Sequence, residues 1–275
     1  MKKVLLLTAF CFLAITLSSQ TIKSMSFNIR YDNPEDGINR WDLRKDLVIK
    51  TIEDYSPDFI GIQEALDHQT KYIDDKLSGY SFIGVGRDDG KTKGEYSPIF
   101  YKNELFNLIS DSTIWLSETP ERVSVGWDAS MERICTFGRF LHIPSNKEII
   151  VMNTHFDHLG TVAREKSTLL ILKTIRELEI TNLPIILCGD FNATPDEKAI
   201  KHLTEYFYSQ NCNQPLIKGE KKTFTGFSPD ATAENRIDYI FCKNLNPNRY
   251  LHITNRTKDG RYISDHLPVF LTVRF

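Results

Sequence analysis

The chain of 275 residues carries 41% hydrophobic, 25% charged and 11% aromatic residues, with 14 Gly and 11 Pro. That apolar content excludes a disordered chain and the sparse Gly and Pro exclude a low-complexity one, leaving two small domains or one large α/β or β-sandwich domain. A formal net charge of −2 excludes a wholesale basic coat for nucleic acid, but not a local basic patch.

Met1-Lys2-Lys3 is a short basic segment, Val4 to Leu17 is almost continuously apolar, and Ser18, Ser19 and Gln20 are small or polar. The pattern predicts a secretory signal peptide over residues 1–20, because the apolar run is shorter than the roughly 20 residues of a membrane span. Cys11 lies inside that run, not at its end, which argues against a lipid-anchored cysteine. The expected location is therefore secreted or periplasmic, without a stable membrane anchor. Removal of Lys2 and Lys3 leaves 32 basic against 36 acidic residues, a net charge of −4. An exported protein could pair Cys135, Cys188, Cys212 and Cys242. Cys188 and Cys242 lie in apolar runs, however, where a buried free thiol is the simpler reading, and no disulfide is assigned.

No Pro/Gly/Ser-rich linker or fixed repeat divides residues 21–275, which are expected to form one catalytic domain. Alternation of Met25, Phe27 and Ile29 predicts a strand at 22–30. Val48, Ile52 and Tyr55 fall at helical spacing and Pro57 stops the helix. Asp58 to Gln63 reads as a buried strand, and Leu66, Ile73 and Leu77 as a helix ending near Gly79. Further strands are predicted at 80–86, 96–102, 135–143 and 148–154. Ile171, Ile175 and Leu178 mark a helix at about 161–180, followed by a buried strand from Pro184 to Gly189. Thr194-Pro195-Asp196-Glu197 reads as an N-cap, a first-turn proline and a capping-box glutamate. Strands at 236–241 and 267–274 close the chain, and this mixture fits a layered α/β sandwich.

Polar clusters stand where the buried strands stop, where a rigid sheet can present side chains to a cleft. They are Ser26-Phe27-Asn28, Gln63-Glu64, Asn153-Thr154-His155, Gly189-Asp190-Phe191-Asn192, Ile237-Asp238-Tyr239 and Ser264-Asp265-His266. Each alone is weak: a strand-end Glu is usually solvated, an Asp before Gly or Asn often only shapes a turn, and a lone His is more often structural. Six in one order are far harder to ascribe to coincidence.

That order, FN, QE, NTH, GDFN, IDY and SDH, resembles the endonuclease/exonuclease/phosphatase superfamily across essentially residues 22–275. This group contains deoxyribonuclease I, apurinic endonucleases, inositol polyphosphate 5-phosphatases, neutral sphingomyelinases and deadenylases. The segment Asn28 to Lys45 looks like that of an exported bacterial subgroup. The resemblance implies a four-layered α/β sandwich, two packed, mainly antiparallel β-sheets flanked by helices. It also implies a hydrolase that uses Mg2+, with Mn2+ as a substitute. Glu64 is then the first metal ligand, with Asn28 and Asp265 as weaker candidates, and Asp190 and Asn192 either orient the attacking water or line a second metal position. His266 could bind the scissile phosphate or act as a base, and the resemblance makes Asp238 its carboxylate partner. The same comparison makes His155 a second catalytic histidine with Glu95 as its partner. Asn28 also counts as a substrate contact, and Arg133 resembles the family's phosphate-contacting arginine, although an ordinary ion pair explains it equally well.

His155-x-x-His158 suggests zinc only superficially, since no HExxH or CxxC supports it. Gly84 to Gly90 lacks the context of a nucleotide-binding loop and reads as a hairpin at the cleft rim or a substrate-selecting loop. Arg164 reads as a solvated helix position, and Trp41, Trp115 and Trp127 as core aromatics or stacking platforms. The leading expectation is a monomeric phosphoesterase with a phosphodiester somewhat ahead of a monoester. Nucleic acid is one candidate substrate, with local contacts from Arg30, Arg44, Lys91 and Lys93. Inositol phosphates, phosphosugars and phospholipids are the alternatives. A non-catalytic binding module is the remaining alternative, disfavoured because Glu64, Asp190 and His266 are all present.

Overall fold

A computed structural model describes residues 21–178, 180–208, 217–228 and 235–274. The predicted leader and Cys212 lie outside the described residues. The first sheet is built from β1 (Thr21–Asn28), β2 (Phe59–Gln63), β3 (Tyr80–Ile83), β4 (Ile99–Lys102), β9 (Ile217–Lys218), β11 (Asn246–His252) and β12 (Val269–Arg274). Its order is β3-β4-β2-β1-β12-β11-β9. The second sheet takes β5 (Phe106–Trp115), β6 (Ile134–His142), β7 (Lys147–His155), β8 (Ile185–Asp190) and β10 (Asp238–Lys243), in the order β10-β8-β7-β6-β5. Neighbouring strands are antiparallel except β1/β2, β9/β11 and β7/β8.

Three apolar clusters define the layers. Phe59, Phe140, Val151, Ile186, Ile240 and Leu271 fill the space between the sheets. Val48, Ile52 and Ile73 on α1 (Lys45–Tyr55) and α2 (Asp67–Lys76) pack on the outer face of the first sheet. Ile171, Ile175 and Leu203 on α3 (Thr161–Glu177) and α4 (Lys198–Tyr208) cover the second. The result is the expected helix–sheet–sheet–helix sandwich, each layer burying its apolar face against the next. Cys135 and Cys188 are buried free thiols, and Cys242 is buried as well.

Several boundaries differ from the sequence reading. β5 and β11 carry no continuous apolar signal, because long parts of both face solvent. β4 begins at Ile99 rather than 96, just after Pro98, which has no N–H to give a ladder. α4 begins at Lys198, and Thr194 is not its cap. The Thr194 hydroxyl bonds Asp196, so only the reciprocal half of the expected box forms, with Thr194 N donating to Glu197 Oε1 at 3.0 Å.

Candidate active site

The two-residue period of a strand decides which side chains reach the site. On β1, Met25 and Phe27 pack toward the helices, so Ile22, Ser24, Ser26 and Asn28 face the opposite sheet. The same alternation turns Phe59, Gly61 and Gln63 of β2 inward, and likewise Ile149, Val151, Asn153 and His155 of β7. Ile186, Cys188 and Asp190 of β8 follow suit, as do Cys242, Ile240 and Asp238 of β10. Each row is apolar at one end and polar or ionisable at the other. Register then aligns the ends: His155 pairs with Asp190 across β7/β8, and Asp190 with Asp238 across β8/β10.

One layer of small and amide residues underlies the site. Asn153 Nδ2 donates to Ile62 O at 2.7 Å and Pro98 O at 2.9 Å, while Gln63 Nε2 donates to Asn153 Oδ1 at 2.6 Å. These bonds tie the two sheets together. Gly61 permits the approach, since a Cβ there would lie 2.4 Å from Cys188 Sγ.

Asn28 is the hub above that layer. Its Nδ2 donates to Glu64 Oε1 and to Asp190 Oδ2, both at 2.9 Å, and its Oδ1 accepts from Arg30 N. Glu64 stands at a left-handed turn, φ +65°, just beyond β2, and its Oε2 accepts from Tyr31 N at 3.1 Å. Ser264 Oγ donates to Asn28 O at 2.7 Å, joining the Ser264-Asp265-His266 segment to the end of β1. Asp265 is buried and its carboxyl is pushed up to about 6, chiefly by burial.

His266 Nδ1 lies 2.9 Å from Asp238 Oδ2, and its Nε2 lies 3.7 Å from Asp190 Oδ2. Burial works against the imidazolium, but Asp238 and Asp190 outweigh it and hold the pKa well above the usual histidine value. Asp190 is held above the usual carboxylate range by burial and by the neighbouring Asp238 charge. Its Oδ1 accepts from Asn192 N at 2.9 Å.

His155 has the opposite character. Burial, reinforced by the Arg133 charge, lowers its pKa to about 3, so the ring is neutral. Asn192 Nδ2 donates to Phe156 O at 3.0 Å, which fixes the orientation of the amide, and it also lies 3.2 Å from His155 Nε2. His155 Nε2 is therefore an acceptor and the proton sits on Nδ1. Nδ1 faces Glu95 Oε2 at 3.6 Å, beyond hydrogen-bond length. Glu95 instead receives both Nη atoms of Arg87, at 2.7 and 3.0 Å, because a guanidinium fork matches a carboxylate.

These groups border a cavity of about 670 Å³. Glu64, Glu95, Arg133, His155, Asp190 and Asn192 line it, together with Asp265 and His266, whereas Asn28 and Asp238 do not and reach it through their hydrogen bonds to Glu64, Asp190 and His266. Arg30, Arg87 and His158 also line it. Arg44, Lys91, Lys93 and the three tryptophans do not. Arg44 is buried, its Nη1 donating to Ile29 O at 2.7 Å, and Trp115 Nε1 supports the rim hairpin through Arg87 O at 2.7 Å. Arg164 is no solvated helix position: it is buried against Glu197 at 2.7 Å. Phe224, whose ring centroid lies 5.0 Å from that of His266, and Met131 line the cavity without any sequence signal that singles them out.

The donor set suits a hard divalent cation, which prefers carboxylate and amide oxygens. Ligand atoms of Glu64, His155 and Asp190 all lie within 4.8 Å of one another, as do those of Asp190, Asp238 and His266. The Glu64 and Asp190 oxygens converge on one neutral amide, an arrangement of like charges that a cation would relieve.

Residues 25–266 match the sequence profile of the Endonuclease/Exonuclease/phosphatase family. A solved protein of that family from Bacteroides thetaiotaomicron is 34% identical, with a TM-score of 0.86 over 93% of this chain and 98% of that one. A mannosyl-6-phosphatase from Bacteroides thetaiotaomicron is also 34% identical, with a TM-score of 0.86 over 92% of this chain and 100% of that one. Human nocturnin is 24% identical over 86% of this chain, which spans 59% of nocturnin's own length.

Proposed function

The chain belongs to the endonuclease/exonuclease/phosphatase family, and from that membership we propose that it is a phosphomonoesterase acting on a small phosphorylated polyol of the sugar-phosphate class. Members of this family are divalent-metal-dependent hydrolases of phosphate esters, which makes the chain such an enzyme. The choice of a monoester rests above all on the cavity. At about 670 Å³ it has the size of a small-molecule site, not of a duplex groove, and Arg30, Arg87 and Arg133 surround it. A 34%-identical relative acts on a mannosyl 6-phosphate, which agrees with that size.

The ion of this proposal is Mg2+, with Mn2+ as a substitute, held by Glu64 with Asp265 and Asp190 at hand. When bound, it neutralises phosphoryl oxygens and stabilises the leaving oxygen. The side chains do the rest. Asp190, its pKa raised, takes the proton of the attacking water, and Asn192 keeps that carboxylate in place through its backbone N–H. A P–O bond to the water oxygen forms as the ester P–O bond opposite it breaks, and the departing alkoxide is protonated from solvent in the open cavity. His266, charged and backed by Asp238, donates from Nε2 to a phosphoryl oxygen. Neutral His155 lines the wall beside the phosphate without adding charge.

Residues 1–20 serve in this proposal as a leader, placing a monomeric enzyme in the periplasm or the medium. No helix of the described residues is long and apolar enough to cross a membrane.

A panel of sugar phosphates, p-nitrophenyl phosphate, bis-p-nitrophenyl phosphate, DNA, RNA and phospholipids tests the assignment. Turnover of sugar phosphates above the diesters, lost on chelation and restored by Mg2+ or Mn2+, is expected. A clear preference for DNA, RNA or the synthetic diester would return the chain to the phosphodiesterases.

A further inference from the structure

The cavity's arginines are not equally neutralised. Arg30 makes two hydrogen bonds of 3.0 Å to Asp36, and Arg87 is held by both oxygens of Glu95. Among the described residues Arg133 makes one carboxylate contact, Asp157 at 3.4 Å from its Nε, with the already paired Glu95 acting on its charge from farther off. The Asp157 carboxylate is already spent on shorter bonds, from Gly160 N at 2.7 Å, Ser130 Oγ at 2.8 Å, Leu159 N at 3.0 Å and Ser130 N at 3.1 Å. Arg133 is 4% exposed and its Nη1 is buried without a hydrogen-bond partner. The least compensated guanidinium at the site is therefore a nearly buried part of the cavity wall.

His158 carries that charge to the surface. Arg133 Nη2 lies 3.0 Å from His158 Nδ1, and a guanidinium can only donate, so Nδ1 is the acceptor and the ring proton sits on Nε2. His158 is exposed and borders the cavity, and among the described residues nothing meets its Nε2. A neutral imidazole that accepts from a cation on one edge is a strengthened donor on the other.

We propose that His158, polarised by Arg133, is a substrate-specificity residue that donates from Nε2 to a non-scissile phosphoryl oxygen and favours the dianionic phosphomonoester over the monoanionic diester. Arg133 acts here as a positioning residue, through the imidazole. The assignment rests on the monoesterase reading, since a dianion gains about twice what a monoanion does from the extra positive potential.

The test compares wild type with His158→Ala and Arg133→Lys, using p-nitrophenyl phosphate, bis-p-nitrophenyl phosphate and, by calorimetry at pH 8 with Mg2+, inorganic phosphate. His158→Ala is expected to raise KM for the monoester about tenfold and weaken phosphate binding about tenfold. KM for the diester should move less than threefold and kcat for either ester about as little. Arg133→Lys, which loses the planar fork, should follow in direction. Unchanged phosphate affinity in His158→Ala, or equal rises of KM for both esters, would overturn the assignment. A wild type that hydrolyses only the diester removes the monoesterase reading, and His158 is then judged on phosphate binding alone. His158→Ala also takes the acceptor from Arg133 Nη2, so a somewhat lower thermal midpoint is expected, and a circular dichroism spectrum matching wild type shows that the variant is folded under assay conditions.

Discussion

At the scale of single residues, the site separates two histidines by their surroundings. His266 lies between Asp238 and Asp190 and is held charged, while His155, beside Arg133 and buried, is held neutral. His266→Ala should lower kcat about 10²–10³-fold, the range for losing a fixed donor to charge that develops in the transition state, with the circular dichroism spectrum unchanged. A wild-type rate in that variant would remove His266 from the mechanism. Glu64→Gln should raise the Mg2+ concentration for half-maximal activity at least about tenfold, because an amide oxygen is a far weaker ligand than a carboxylate; a metal titration that superimposes on wild type would exclude Glu64 as a ligand. Resemblance placed Asp238 next to His266, and the structure gives that pair at 2.9 Å. It also placed Glu95 next to His155, yet the fork of Arg87 claims Glu95 first. Arg87 and Glu95 lie on two arms of one hairpin, and residue types alone do not say which of several partners a carboxylate will choose.

At the scale of elements, strands that bury both faces were legible and strands that bury little were not. β2 and β8 are solid apolar runs ending in Gln63 and Asp190, and both were read within a residue or two. β5 is exposed over Asp111 and Ser112 at the edge of its sheet, and its β-bulge between Leu108 and Ser110 breaks the alternation further. The inter-sheet clamp was likewise hidden. Nothing in FIGIQ marks Gly61 as the point where two sheets nearly touch. Gly61→Ala should destabilise the protein by about 1–3 kcal/mol through overpacking against Cys188 and Asn153, read as a lower urea midpoint at constant slope. The same substitution should depress kcat, since moving the sheets apart separates Asn28 and Glu64 from His155 and Asp190. Stability and activity both at wild-type levels would show that the sheets do not depend on this approach.

At the scale of the whole molecule, stability is coupled to pH through a histidine outside the site. His252 is buried, donates from Nδ1 to Glu220 O at 2.6 Å, and has its pKa lowered to about 4, chiefly by burial. Its unfolded value is about 6.5. Between these values the unfolded chain binds the proton more readily, so this contribution is complete above about pH 6.5, falls as the pH drops and is exhausted below about pH 4, on the order of 3 kcal/mol in all. His252→Gln should flatten the dependence of unfolding free energy on pH within that window, relative to wild type. Parallel curves for the two proteins would count against a neutral buried His252.

The sequence by itself determined the family, the layered α/β class and the ends of the strands on which chemistry stands. These follow from local properties: apolar periodicity, turn residues and six short motifs in a fixed order. The nearly balanced charge excluded a basic coat, but it could not reveal that three arginines gather at one cavity and that only Arg133 there lacks a well-placed acid. The tertiary structure decided that, together with the neutral state of His155, the pairing of Arg87 with Glu95 and the position of His158 over Arg133. Each is a matter of distance and burial between residues far apart in the chain. Proton location and charge compensation depend on those distances, and a list of residue types does not contain them.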